Sequence, residues 1–178
     1  LGATYVQNTA EVEPYRFVLA LAQAAEELGV EIRHGKVTGL KQNAGKVTGV
    51  LLENDQINCS QVVLAMGPWS GNVSSWDSTA TPIPITPLKG QILRLRAPGP
   101  PFHCSIGWSG SYATTKTDGL LWTGTTEEDV GFNETPTDKA RDQIMSSLLK
   151  MIPSMVDAEL VQQTACLRPL SKDGNLVI

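Results

Sequence analysis

The chain has 178 residues, a net charge of −4 and 14 lysines and arginines scattered along it. Hydrophobic residues make up 41% of the sequence, which excludes a mainly disordered chain. The longest apolar run, residues 17–22, is far shorter than the roughly 20 residues that cross a bilayer. Since no basic cluster could follow a phosphate backbone, we expect neither a membrane span nor a nucleic-acid partner.

Cysteine and histidine are sparse. Cys59, Cys104 and Cys166 form no C-x-x-C pair, so we expect free thiols and a cytoplasmic protein. His34 and His103 lie far apart, which argues against a metal site. The first residues carry no initiating methionine and no leader-like segment, and we expect the chain to be an internal fragment of a longer protein.

The first part of the chain predicts one helix followed by short strands. Proline near the start, apolar residues at helical spacing and Gly29 as a stop predict a helix over 14–28. Short runs rich in branched residues predict strands at 30–33, 36–40 and 46–53. A turn of Asn, Ala and Gly separates the last two strands.

The middle of the chain predicts a buried strand and then a domain crossing. The unbroken apolar stretch within residues 61–66 is typical of a strand buried on both faces in a parallel sheet. Residues 70–87 are rich in Ser, Thr and Pro, and the closely spaced prolines predict an extended, non-helical path.

The second half predicts an antiparallel sheet covered by one helix. Strands are expected at 91–96, 112–116, 120–125 and 161–168. Helical spacing of apolar residues, a threonine cap and a following proline predict a helix over 137–151. The fold class expected is therefore α+β, or mixed α/β.

Several common catalytic motifs are absent. No two of the 16 glycines are spaced as G-x-G, which excludes a dinucleotide-binding fingerprint within this stretch. The sequence also lacks a phosphate-binding G-x-x-x-x-G-K loop and a G-x-S-x-G nucleophile motif. The sequence therefore gives no support for nucleotide hydrolysis or for serine hydrolase chemistry.

An ordered series of short motifs runs along the whole chain. These are AMGPWS at 65–70, PLKGQ at 87–91, YATTK at 112–116, GTTE at 124–127 and LRP at 167–169. In their order and spacing they resemble the FAD-dependent oxidoreductases of the D-amino-acid oxidase, glycine oxidase and sarcosine oxidase superfamily. The pattern is most similar to that of the glycine oxidase group.

The resemblance implies a fold, a cofactor and a reaction. Residues 1–70 would be part of a Rossmann-like FAD-binding domain without its glycine fingerprint. Residues 71–178 would form the substrate-binding domain, an antiparallel sheet with a covering helix, without its final return to the flavin. The expected reaction is oxidation of the carbon–nitrogen bond of a small amino acid or N-methyl amino acid by hydride transfer to FAD.

The resemblance also implies two substrate-binding residues. Arg168 matches the family arginine that holds the substrate carboxylate, and a guanidinium fork is suited to that task. Tyr112 matches a pocket tyrosine, although Thr115 and Lys116 stand where the family has Pro and Arg. A surface arginine and a packing tyrosine are the alternatives. No side-chain base is expected to be required.

Four further residues match the cofactor side of the family pattern. Ala65 and Gly67 are small enough for close backbone approach to FAD, and Val37 falls where the family holds the adenine through backbone atoms. Trp69 would line the cofactor crevice. A strand that ends in a Gly-Pro turn would explain the same residues without any cofactor.

Other conspicuous residues are assigned structural roles. The glycine in the segment 89–91 is expected to permit close approach, and Lys89 and Gln91 are assigned no catalytic role. The acidic run 127–129 is expected to be a solvated loop. Three tryptophans are expected to be packing residues rather than pocket walls, namely Trp76, Trp108 and Trp122.

Two alternative functions stay open. One is the flavin domain of a tRNA-modifying oxidoreductase, against which the net charge of −4 argues. The other is a flavoprotein fold that serves as an assembly or binding factor without catalysis, because fold alone does not fix function. Oligomeric state, the electron acceptor and the exact substrate cannot be predicted from these residues.

Overall fold

The computed structural model describes residues 3–7, 10–76 and 81–175. The chain forms two compact units, Leu1–Lys36 and Val37–Ile178. The first unit contains helix α1, Pro14–Glu27, which confirms the predicted helix. The carboxylate of Glu13 caps this helix by accepting a hydrogen bond from the Arg16 N–H at 2.8 Å. The strand predicted at 30–33 is wrong, because the described residues of this unit offer no strand with which it could pair.

The second unit begins with a small antiparallel sheet. Its strands are β1, Val37–Asn43, β2, Lys46–Leu52, and β3, Gln56–Asn58, in that spatial order. Ala44 and Gly45 both have positive φ, of 48° and 75°, as the tight turn between β1 and β2 requires. The two predicted strands are confirmed, whereas the third was not predicted.

The segment after β3 differs most from expectation. Residues 61–66 form no strand, and Val63 is 90% exposed. The predicted buried parallel strand is therefore wrong, because no described strand pairs with this segment and every described strand pair is antiparallel. A 3₁₀ helix, Gly67–Ser75, follows where the prolines predicted an extended path. Residues 77–80 of that path lie outside the described residues.

A five-stranded antiparallel sheet dominates the second unit and confirms the predicted architecture. Its strands are β4, Ile85–Arg96, β5, Ile106–Trp108, β6, Ser111–Thr115, β7, Leu121–Gly124, and β8, Glu159–Ser171. The spatial order is β5-β6-β7-β4-β8, so the longest strands, β4 and β8, pair along their whole length. The short strand β5 was not predicted.

One face of this sheet packs on helix α2, Asp138–Met151. Alternate residues of β4 point to this face, and Leu93 and Leu95 are fully buried against Ile144 and Leu148 of the helix. Each such side chain contributes about 2 kcal/mol when it is withdrawn from water. Thr137 caps the helix as predicted, since its hydroxyl accepts a hydrogen bond from the Ala140 N–H at 3.3 Å. A second 3₁₀ helix, Pro153–Asp157, closes this core.

The helix covers only one face of the sheet. Because side chains alternate along each strand, even-numbered residues of β4 point away from α2. Register places Ile92 opposite Thr164 of β8 and Gly90 opposite Cys166. This second face carries the candidate site.

Candidate functional site

A cavity of about 220 Å³ opens on the sheet face that lies opposite α2. Strands β4, β6 and β8 supply its walls, together with the residue that follows β7. The lining residues are Gly90, Ile92, Tyr112, Thr125, Thr164, Cys166 and Arg168. The structure thus brings together both substrate-binding residues predicted from the sequence.

Arg168 supplies the positive charge of the cavity. It projects from β8, and the Pro169 that follows is compatible with extended backbone at this position. One terminal nitrogen of its guanidinium, Nη2, donates a hydrogen bond to the carbonyl oxygen of Thr126 at 2.7 Å. Among the described residues no carboxylate forms an ion pair with Arg168. Its remaining N–H groups can therefore bind an anion in the cavity.

Gly90 makes room for this guanidinium. A Cβ atom at position 90 would lie 2.9 Å from Cζ of Arg168 and 3.2 Å from its Nε, closer than such atoms pack. The sequence predicted a close approach at this glycine, and the structure identifies the approaching group as the arginine side chain. The end of the arginine side chain therefore packs directly against β4 at this glycine.

Tyr112 stands on β6, across the sheet from Arg168. It pairs with Gly124 of β7, which pairs in turn with Ile92 of β4. The Tyr112 carbonyl also accepts a hydrogen bond from the Thr123 hydroxyl at 2.8 Å, which fixes the backbone of the tyrosine. A half-buried tyrosine on a fixed strand gives the cavity a rigid aromatic wall with a polar tip.

A buried polar cluster lies immediately behind the cavity. Lys89 is 1% exposed, donates to the Thr135 carbonyl at 2.6 Å, and has its Nζ 3.6 Å from the Glu128 carboxylate. Gln91 is fully buried and donates from Nε2 to Glu128 at 2.8 Å. The expected solvated loop is therefore wrong for Glu128, which joins this cluster because the backbone of residue 128 pairs with Lys89 of β4. Glu127 and Asp129 are exposed as expected.

The electrostatics of Glu128 follow from these contacts. Burial by itself would raise the pKa of the carboxyl group, but hydrogen bonds from Thr126 and Gln91 and the Lys89 ammonium outweigh it. The pKa of Glu128 is consequently lower than its ordinary value. One signal in the sequence could have revealed this cluster. Lys89 and Gln91 occupy the same alternate positions of β4 as the core leucines, and a polar residue at such a position requires a partner.

The four predicted cofactor residues lie elsewhere in the second unit. Val37 begins β1, Ala65 is exposed in the segment after β3, and Gly67 begins the first 3₁₀ helix. Trp69 is 44% exposed, and its ring stacks on Phe132 with centroids 5.8 Å apart. Within the described part of the chain, none of the four lines the cavity that contains Arg168.

Two of these residues, Gly67 and Trp69, have features that suit contact with a planar cofactor. Gly67 has a φ of 54°, and a Cβ built on it would meet nothing within 4 Å, so its backbone is open to a ligand. Val63, Leu64 and the Trp69 ring expose apolar surface of the kind that a planar cofactor covers. A pyrophosphate also needs a glycine-rich cradle, and the sequence has no G-x-G. The residues present therefore fit part of the site.

Other candidate features are less suited to a site. An open groove of about 950 Å³ along β2 and residues 58–63 contains one charged side chain, that of Lys46. Trp122 serves packing as expected, with the Arg94 guanidinium 4.2 Å from its ring centre, whereas Trp108 is 54% exposed. Neither helix in the described ranges has the length and apolar character that crossing a membrane demands.

Comparison with known proteins finds similarity over the whole length of this chain. The sequence model of a family described as FAD dependent oxidoreductase matches residues 1–178. Glycine oxidase of Pseudomonas putida is 32% identical over 174 residues, which cover 97% of this chain and 47% of that protein. The chain thus spans about half the length of these curated glycine oxidases.

Solved structures show the same fold. The crystal structure of glycine oxidase from Bacillus cereus aligns with a TM-score of 0.78 at 27% identity, over 86% of this chain and 42% of that one. L-proline dehydrogenase from P. horikoshii aligns with a TM-score of 0.81 over 92% of this chain and 45% of its own. At 22% identity the second likeness concerns the fold alone.

Proposed function

Because this chain belongs to the family of FAD-dependent oxidoreductases, we propose that it is part of an enzyme that oxidises the carbon–nitrogen bond of a small amino acid. N-methyl amino acids such as sarcosine belong to the same substrate class. The similarity to glycine oxidases at about 30% identity supports this reaction. In this proposal residues 1–70 belong to the FAD-binding part and residues 71–178 to the substrate-binding part, and the protein is cytoplasmic, in keeping with its three free cysteines.

One observation carries the proposal. Arg168 and Tyr112 line the same cavity. Among the described residues no carboxylate pairs with the positive charge of Arg168. A planar guanidinium binds a carboxylate through two charge-assisted hydrogen bonds, which fixes the orientation of the ligand as well as its position. A small amino acid is the ligand class that matches both this group and a cavity of about 220 Å³.

In this proposal some residues of the chain bind and orient the substrate, and others contact the cofactor. Arg168 holds the substrate carboxylate and thereby fixes the orientation of the α-carbon. Tyr112 closes the cavity or donates its hydroxyl to the same carboxylate. FAD, when bound, supplies the hydride acceptor, and Val37, Ala65, Gly67 and Trp69 are the residues of this chain that we propose contact it. A substrate bound with its amino group unprotonated needs no side-chain base when hydride leaves the α-carbon, and water hydrolyses the imine product in solution.

Anaerobic reduction of the flavin tests this function. The complete protein, expressed from its gene and loaded with FAD, is mixed with glycine, sarcosine or D-alanine while the visible flavin band is recorded. We expect at least one of these amino acids to bleach the band, and glycinamide, which lacks the carboxylate, to leave it unchanged at the same concentration. A protein that retains flavin but is bleached by none of them would be a binding factor or act on another substrate, such as tRNA, and would contradict the proposal.

A further inference from the structure

We propose that Thr126 and Glu128 form a positioning unit that sets the orientation of Arg168 and, through it, the affinity of the cavity for a carboxylate. The inference rests on the proposed function in one respect, namely that Arg168 binds the substrate carboxylate. Neither Thr126 nor Glu128 lines the cavity. Both would act through the arginine.

The first link is the contact between Arg168 and Thr126. Nη2 of the arginine donates to the Thr126 carbonyl at 2.7 Å, and this is the one hydrogen bond of the guanidinium among the described residues. Gly90 lies beneath the guanidinium and places no side chain against it. The carbonyl of Thr126 is therefore the polar contact that determines how the fork turns toward the cavity.

The second link fixes Thr126 itself. Its hydroxyl donates to Oε1 of Glu128 at 2.6 Å and accepts a hydrogen bond from the Gln91 N–H at 3.0 Å. A hydroxyl has one donor and two acceptor lone pairs, and these two bonds use the donor and one of the lone pairs. Thr126 is 3% exposed, so its hydroxyl is shielded from water. The residue cannot rotate without breaking a buried hydrogen bond.

The third link anchors Glu128 to the sheet and to α2. Two backbone hydrogen bonds of 3.0 and 2.9 Å join Glu128 to Lys89. Its carboxylate accepts from Gln91 Nε2 at 2.8 Å, and Gln91 Oε1 accepts in turn from the Thr137 N–H at 3.0 Å and from Gln163 at 2.9 Å. The position of Thr126 is thus tied to β4, β8 and the start of α2.

The energetic cost of burying this polar cluster favours a role in positioning Arg168 over a role in stabilising the fold. In the ion pair of Lys89 with Glu128 the ammonium is buried and loses its hydration, while the carboxylate side chain is 25% exposed. Apolar residues of similar volume often stabilise a fold at least as well as a buried charge. Leucines fill the next inward positions of the same strand. At the inward positions of β4 that lie directly behind the cavity arginine, the strand carries polar residues of the cluster instead of leucines.

Substitution of Thr126 in the complete, FAD-loaded protein tests the inference. Thr126→Val removes the hydroxyl but retains the Lys89–Glu128 pair, so the buried ammonium keeps its counter-charge. We expect KM for the amino acid to rise about fivefold with kcat changed by less than about twofold, as loss of a weak positioning contact predicts. Thr126→Ser restores the hydroxyl and should restore KM. Glu127→Gln, which changes an exposed neighbouring carboxylate, is the matched control.

A double-mutant cycle separates positioning from general damage. Glu128→Gln is combined with Arg168→Lys, and the Kd of acetate is measured from the change in the flavin spectrum together with each variant's melting temperature. If Glu128 acts through the arginine, its substitution weakens acetate binding in the wild-type background but has no further effect once Arg168 is replaced. Independent effects of the two substitutions would overturn the inference.

The two proposals fail in different ways. An unchanged KM in Arg168→Lys would contradict the proposed function of the cavity. A raised KM in Arg168→Lys together with wild-type values in Thr126→Val would contradict the positioning unit and leave the function of Arg168 intact.

Discussion

The guanidinium of Arg168 lies across the Cα of Gly90, so that a Cβ on residue 90 would come within 2.9 Å of the central guanidinium carbon. The two residues belong to neighbouring strands, and the register places Gly90 opposite Cys166, two residues before the arginine. The glycine is therefore part of the site although it has no functional group. It determines where the charge of the cavity lies.

Gly90→Ala should damage binding more than stability. The added methyl group meets the end of a flexible side chain, which can move aside, so we expect little change in melting temperature. The displaced arginine no longer faces the cavity, and KM for the amino acid should rise about tenfold, the equivalent of one charge-assisted hydrogen bond. Steady-state kinetics and a thermal melt measure the two effects.

Gly107→Ala is the control for that substitution. Gly107 lies in β5 of the same sheet, and an added Cβ would have its nearest neighbour at an ordinary 3.8 Å. It should leave KM unchanged. Equal effects of the two substitutions would mean that any alanine in this sheet disturbs the enzyme, and that the contact between Gly90 and Arg168 is not responsible.

Tyr112→Phe should weaken substrate binding by a smaller amount. The ring stays in place and continues to wall the cavity, but its hydroxyl is lost, so we expect KM to rise about threefold to tenfold at nearly constant stability. Tyr15→Phe, at an exposed position of α1, is the matched control. Wild-type KM in Tyr112→Phe would show that the tyrosine contributes its ring alone.

Cys166 offers a chemical probe of the cavity. Its side chain faces the cavity next to Arg168, and both it and Cys104 are exposed. We expect iodoacetamide to alkylate both thiols, and a saturating small carboxylate to slow the reaction at Cys166 only. Peptide mass spectrometry follows the two sites separately. Equal protection of Cys104, which lies outside the cavity, would indicate a general change rather than occupancy.

Glu128 should make stability depend on pH in the acidic range. Because the pKa of Glu128 is lowered in the folded protein, its contribution is fully present above the ordinary value of 4.5 and is lost as the pH falls through the lowered pKa. Glu128→Gln removes this contribution. The difference in free energy of unfolding between wild type and variant should therefore shrink as the pH is reduced from about 7 to about 3.

Denaturant titrations at several pH values measure that difference. Glu127→Gln serves as the control, because its carboxylate is exposed and outside the buried cluster. A difference between wild type and Glu128→Gln that stays constant over the whole range would show that the carboxylate is not stabilised in its charged form.

Local patterns predicted those elements whose determinants lie within one segment. Helix α2 carries its own cap, apolar stripe and terminating proline, and the hairpin of β6 and β7 contains its Asp118-Gly119 turn. Residues 61–66 were wrongly predicted because an apolar run becomes a buried strand only when other strands flank it, and the described residues provide none.

The residues of the site also differ in whether the sequence alone could reveal their roles. Arg168 and Tyr112 were predicted through the family resemblance, and the structure places both in one cavity. The roles of Gly90 and Glu128 depend on strand register and on contacts across more than 30 residues of sequence, as between Gln91 and Glu128. Sequence patterns do not reveal such contacts directly, although a lysine at the inward position 89 indicates that a polar partner is needed.

The kinetics of Arg168→Lys test the central claim most directly. The variant keeps the positive charge but loses the planar fork, so the account predicts that KM for the amino acid rises roughly tenfold to a hundredfold while the flavin remains bound. Arg96→Lys, on the exposed end of β4 in an ion pair with Glu159, should be unchanged. A wild-type KM in Arg168→Lys would contradict the assignment of this cavity as the carboxylate site.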